Sequence, residues 1–108
     1  MILDLKEQLC PKHCALLVID MQNDFCHPEG FFGRQGANLS YVSNMVPNLA
    51  RLLIAARMSN IKIFFVQSVM DEHYLSPAMR YRKVRLGRVE DICRENSWGA
   101  LPFKGFCP

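Results

Sequence analysis

Near the start of the chain, Ala15–Met21 (ALLVIDM) forms a short, nearly continuous apolar run. It is closed by Asp20 and the polar residues Gln22, Asn23 and Asp24. A run of this kind suits a strand buried on both faces, as in parallel sheets. Such a strand needs layers above and below it, so this feature limits the chain to an α/β arrangement more than any other.

The flanking patterns agree. Residues 1–13 are a polar leader ending near Pro11. Residues 26–38 hold Pro28, Gly30, Gly33, Gly36 and Asn38, which predicts a long loop. Ser40 suits a helix N-cap, and apolar residues then recur at Val42, Met45, Val46, Leu49, Leu52, Leu53 and Ala56 in helical spacing. Pro47 interrupts that stripe and predicts a kink or a second start. Asn60 suits a left-handed C-terminal cap. Ile61–Val69 (IKIFFVQSV), rich in β-branched and aromatic residues, reads as a second strand, completing a βαβ unit. Ser76-Pro77 opens a further helix through about Arg85, with Pro at the first helical position. From Gly87 to Pro108 there is no clear period.

Length and composition set outer limits. The chain has 108 residues, 50% of them hydrophobic and 21% charged, an ordinary globular mixture that excludes a disordered tail. A βαβ unit takes about 30 residues or more, so three barely fit. The net charge of +3 lies within what solubility alone explains and does not argue for nucleic acid. The first nine residues include Asp4, Lys6 and Glu7, which leaves no apolar h-region and argues against a signal peptide. No apolar stretch approaches the roughly 20 residues of a membrane span. Five irregularly spaced cysteines and no signal peptide point to reduced thiols and a cytoplasmic location.

In open parallel sheets, ligands bind beyond the carboxyl ends of the strands. Two polar clusters fall there: Asp20 to Phe25, and Gln67-Ser68 followed by Asp71, Glu72 and His73. A carboxylate just outside a dry apolar layer can serve as a base. The same residue type also forms turns by bonding nearby backbone amides.

The string Leu17-Val18-Ile19-Asp20-Met21-Gln22-Asn23-Asp24-Phe25 resembles the opening signature of the isochorismatase-like cysteine hydrolases, a family that includes nicotinamidases, N-carbamoylsarcosine amidases and ureidoacrylate amidohydrolases. The similarity continues through Pro28, Gly30, the segment PNLARLLIAAR at 47–57 and the strand at 61–66, covering roughly residues 14–98. The resemblance implies a three-layer α/β/α, Rossmann-like fold whose parallel sheet has about six strands. That sheet needs roughly 150 residues or more, so this chain would hold about its first half. A divergent tail would occupy 99–108. The family's usual catalytic set is an Asp, a Lys and a Cys. The Asp takes the thiol proton, the thiolate attacks an amide or ureido carbonyl, and the Lys helps hold the site. A thiol with pKa near 8.5 needs such a base to become a nucleophile at neutral pH. By position, Asp20 matches the catalytic Asp and Phe25 an aromatic lining the substrate pocket. No cofactor and no metal are implied.

The departures are as informative. The family's Lys follows a third strand in a pattern such as Val-Val-x-Lys. Its Cys sits in a Gly-x-x-Thr-x-x-Cys-Val turn. Neither pattern occurs here. Lys104 and Cys107 have the right residue types in the wrong context, and Cys93 reads as a bland thiol in a polar helix or loop. Asp71-x-His73 has the spacing of nicotinamidase metal ligands but no later His, so a solvated loop is the expectation. Cys10, His13 and Cys14 with Cys26-His27 fit no regular zinc spacing. The basic run Arg80, Arg82, Lys83, Arg85 and Arg88 has no interleaved aromatic ladder, so a solvated face or subunit contact is expected rather than nucleic acid.

Two readings therefore stand side by side. One is a hydrolase of a C–N bond in a small amide or ureido substrate, of whose catalytic set only Asp20 is present. The other is an inactive fragment or pseudoenzyme that associates with a second copy or a full-length paralogue, since two such strands leave apolar surface uncovered. A small metal-binding module using Cys10, His13 and Cys14 is a third reading.

Overall fold

The computed structural model describes residues 4–88 and 91–108. Its elements run α1 (Leu5–Gln8), β1 (Ala15–Ile19), α2 (Asn23–Cys26), α3 (Phe31–Arg34), α4 (Ser40–Met58), β2 (Lys62–Val66), α5 (Pro77–Arg85) and a 3₁₀ turn at Trp98–Ala100. The strands β1 and β2 pair in parallel, with Leu16 opposite Ile63, Leu17 opposite Phe64, Val18 opposite Phe65 and Ile19 opposite Val66. Helix α4 connects them, so the βαβ unit expected from the periodicity is present.

Local chemistry explains the boundaries. Asn60 adopts φ +56° and ends α4 in the left-handed region, which Asn tolerates better than most residues. Ser76 caps α5 by accepting a bond from the Met79 backbone amide at 3.3 Å, with Pro77 at the first position. Three features differ from expectation. At the start of α4, Leu39 takes the cap position, and Asn38 Oδ1 accepts the Ser40 amide instead. Pro47 lies inside α4 and marks no second start, since α4 runs unbroken from Ser40 to Met58. The bond that proline cannot donate would have gone to the carbonyl of Ser43, an exposed residue where water can replace it. The loop at 26–38 contains α3, and α2 ends at its first residue.

One core cluster joins Val18, Met21, Cys26, Val42, Leu53 and Phe106, with Leu16, Ile63 and Phe65 packed against it. A second joins Phe31, Ile92 and Cys93, with Phe25, Phe32 and Met70 alongside. Phe25 packs against both clusters. Among the described residues, the sheet is covered on one side. Leu16, Val18, Ile63 and Phe65 belong to the core, while Leu17, Ile19, Phe64 and Val66 are each between 44% and 56% exposed. The strand that reads as buried on both faces is thus buried on one. The radius of gyration, 17.1 Å, exceeds the roughly 13 Å of a compact chain this long, and the principal extents are 48 × 31 × 23 Å.

Candidate active site

The carboxyl ends of β1 and β2 meet the segment 91–106 in a knot of polar side chains. Asp20 is the first residue beyond β1. Its backbone amide donates to Val66 O at 2.9 Å, prolonging the ladder by one bond, and its φ is +60°. A non-glycine residue in this region carries strain, which Asp bears better than most. The Ser68 hydroxyl donates to Asp20 Oδ1 at 2.9 Å, so the carboxylate is held at a defined place beyond the sheet.

Ser68 is itself fixed by Gln22, which is fully buried. Gln22 Oε1 accepts the Ser68 amide at 2.9 Å, and Gln22 Nε2 donates to Ser68 O at 2.8 Å and to Ala100 O at 2.9 Å. The next two residues bind other parts of the chain in the same way. Asn23 Nδ2 donates to Trp98 O at 2.9 Å. Asp24 Oδ1 accepts the Phe31 amide at 2.9 Å, and Oδ2 accepts the Cys93 amide at 2.7 Å. Gly99 lies so close that a Cβ there would stand 2.1 Å from the Asp24 carboxylate. Gly30 is similarly confined, since its Cβ would meet Asn23 O at 2.1 Å. No buried side-chain nitrogen or oxygen among the described residues lacks a partner.

The tail takes part in this knot. Asn23 N donates to Leu101 O at 3.0 Å, Phe103 N donates to Met21 O at 2.8 Å, and Gln22 bridges Pro102 in antiparallel fashion. Phe106 is buried in the main core.

Two thiols lie close enough to feel the Asp20 charge. Burial pushes the Cys93 thiol up to about 12, reinforced by the negative charges of Asp24 and Asp20 and by Cys26. Cys26 is also raised, first by burial, with a backbone bond at Gln22 opposing and Asp20 adding. Cys93 is wholly buried, and its Sγ is 3.8 Å from Gly99 O. Cys93 lies in a turn, as a loop residue would, but is buried, and burial of this kind makes a thiol a poor nucleophile. Lys104 and Cys107 are both exposed. Phe25 is half-buried and stacks on Phe32 at a centroid distance of 5.8 Å.

The weaker patterns do not assemble. His73 is exposed and 3.9 Å from Asp71. His27 accepts the Glu29 amide at Nδ1 and sits edge-on to Trp98. Among the described residues no group of three His, Cys, Asp or Glu side chains could hold a metal. None of the described helices is long and apolar enough to cross a membrane.

A parallel βαβ unit with a fixed carboxylate beyond its first strand defines an α/β protein with a candidate site at its strand ends. The family model for the isochorismatase domain matches residues 14–108, and the chain belongs to that family of hydrolases. It is similar to the ureidoacrylate amidohydrolase RutB of Serratia proteamaculans (strain 568), at 34% identity over 65 residues, 60% of this chain and 26% of the relative. It is also similar to RutB of Pantoea ananatis (strain LMG 20103), at 32% identity over 72 residues, 67% of this chain and 29% of the relative. The chain therefore spans little more than a quarter of the length of these curated relatives.

The sequence places Asp20 and Phe25 in one cluster, and the structure sets Asp20 against Ser68 of the second cluster. Sequence reasoning did not foresee that Gln22, Asn23 and Asp24 tie distant backbone together. The available signal was three hydrogen-bonding side chains following an apolar strand directly, where burial demands partners.

Proposed function

We propose that this chain contributes the acidic half of a hydrolase site for a C–N bond in a small amide or ureido compound. The single observation that carries the reading is the Asp20 carboxylate, set beyond β1 and held by the Ser68 hydroxyl. Asp20 takes the proton of a cysteine thiol, the thiolate attacks the carbonyl, the amine departs, and water then releases the acyl group. Phe25 forms part of the apolar wall beside the substrate. The matching thiol and Lys have no counterpart in the motifs of these 108 residues. A further polypeptide segment supplies them, and the work is done in the cytoplasm without nucleic acid or membrane. We further propose that the partial hydrolase domain follows the leader at 1–13.

The test is ammonia release from ureidoacrylate and from a panel of small carboxamides by this chain together with the segment that supplies the thiol and the Lys, comparing the parent with Asp20→Ala. The reading expects a fall of at least about a hundredfold in the variant. Identical rates for the two chains, at or near background, overturn it for this polypeptide. The uncovered sheet face favours a second reading in that event: an inactive subunit that associates through Leu17, Ile19, Phe64 and Val66 with another copy or a longer relative.

A further inference from the structure

Away from the strand ends, α5 is docked in an unusual manner. No residue of this helix is buried. Two polar ties hold it: an Arg80 guanidinium nitrogen donates to Glu72 O at 2.8 Å, and Lys83 pairs with Asp91. Between helix and body lies a cavity of about 90 Å³. Its apolar lining includes Met70, Leu75, Met79 and Ile92, and Arg82 and Arg88 also line it. The floor is firmly set, because Met70 N donates to Cys93 O at 2.9 Å and Ile92 is buried.

The charge balance around this hollow is one-sided. Lys83 and Asp91 neutralise each other across one wall. Arg82 and Arg88 show no hydrogen bond or ion pair to a side chain among the described residues, and a guanidinium is always charged. The space suits roughly three or four carbons. A neutral guest would fill it and leave both cations as they are. A guest with a short aliphatic tail and one carboxylate would fill it and bring an anion to them.

We propose that the hollow beneath α5 is a binding site for short-chain aliphatic carboxylates, with the tail against Met70 and Met79 and the carboxylate at Arg82 and Arg88. This site is independent of the Asp20 reading and would persist if the chain had no hydrolase activity.

The experiment is a titration of the 108-residue chain, labelled at its methionine methyls, with sodium butyrate at low ionic strength, followed by NMR. Butan-1-ol serves as the uncharged probe of the same length. The Met70 and Met79 methyls, assigned by single leucine substitutions, should shift saturably with butyrate. Butanol should bind at least about tenfold more weakly, and R82Q/R88Q should weaken butyrate by a similar factor. Arg85 does not line the hollow, so R85Q on the same helix should leave the affinity unchanged. The proposal is overturned if butanol matches butyrate, if neither methyl responds, or if R85Q weakens binding as much as the double variant. All these arginines are exposed, so their replacement leaves the core intact.

Discussion

Gln22, Asn23 and Asp24 lie a few residues from Leu17 and Ile19, yet their surroundings are opposite. The three polar side chains are buried, and each is bonded to backbone elsewhere in the chain. The two apolar ones face solvent, as do their partners Phe64 and Val66 on β2. At the strand ends the molecule is closed and self-sufficient. On the outer sheet face it is open, and among the described residues its apolar side chains are about half exposed. The polar part of the motif is therefore largely architectural: Gln22, Asn23 and Asp24 join the strand end to Phe31, Ser68, Cys93, Trp98 and Ala100.

The largest expected effect lies on the closed side. Asp24→Ala removes the acceptor of two backbone amides, Phe31 N and Cys93 N, at a buried position. Leaving buried donors unpaired costs about 1–3 kcal/mol each, so a loss of about 3 kcal/mol is expected in urea unfolding. A change below about 1 kcal/mol would show that the knot is less closed than its geometry. Gln22→Leu keeps the volume and removes the bonds to Ser68 and Ala100. About 2 kcal/mol is expected, together with faster hydrogen exchange at the Ser68 amide. Unchanged protection at Ser68 would mean that Gln22 does not hold it.

Much of this contrast was legible in the sequence, for reasons visible at particular residues. β1, α4, β2 and α5 announced themselves through local signals: an apolar run, a helical stripe, β-branched residues and Ser76-Pro77. The position of Asp20 beyond β1 followed from the same run. What could not be read was long-range. Gln22 meets Ser68 and Ala100 across 46 and 78 positions of chain, and no local pattern encodes such a pairing. Cys93 reads as ordinary in sequence because its burial depends on Asp24 and Gly99. The exposed side of β1 was likewise invisible, since a continuous apolar run states what a strand needs and not what covers it.

The thiols sharpen the contrast through pH. Cys93 is held protonated up to about 12 and Cys26 is also raised, both from an ordinary 9.0. Below about pH 9 both states carry the proton and nothing changes. Above it the unfolded chain loses protons that the folded chain keeps, so stability falls as pH rises from 9 towards 12. Unfolding midpoints measured across that range should decline, and less so in Cys93→Ser compared with its own value at pH 8. At pH 8, iodoacetamide should modify exposed Cys107 readily and leave Cys26 and Cys93 untouched until denaturant is added. Rapid modification of Cys93 in the folded chain would break the comparison at its polar end.

The smallest expected effect on stability is at the open face, and its size is the point. Leu17→Thr with Phe64→Thr removes two large apolar groups that are each more than half exposed. Thr retains strand propensity, and little buried area is lost, so the unfolding free energy of the isolated chain should change by less than about 1 kcal/mol. Leu53→Ala, in contrast, empties a fully packed site of the main core and should cost about 2–5 kcal/mol. Self-association should respond in the reverse order. Sedimentation velocity should show the parent forming oligomers that the double threonine variant does not, because an exposed apolar sheet face is what such contacts bury. A parent that stays monomeric at high concentration, or a double variant that loses several kcal/mol, would mean that Leu17 and Phe64 are already covered. The division between a closed strand end and an open face would then fail at its apolar side.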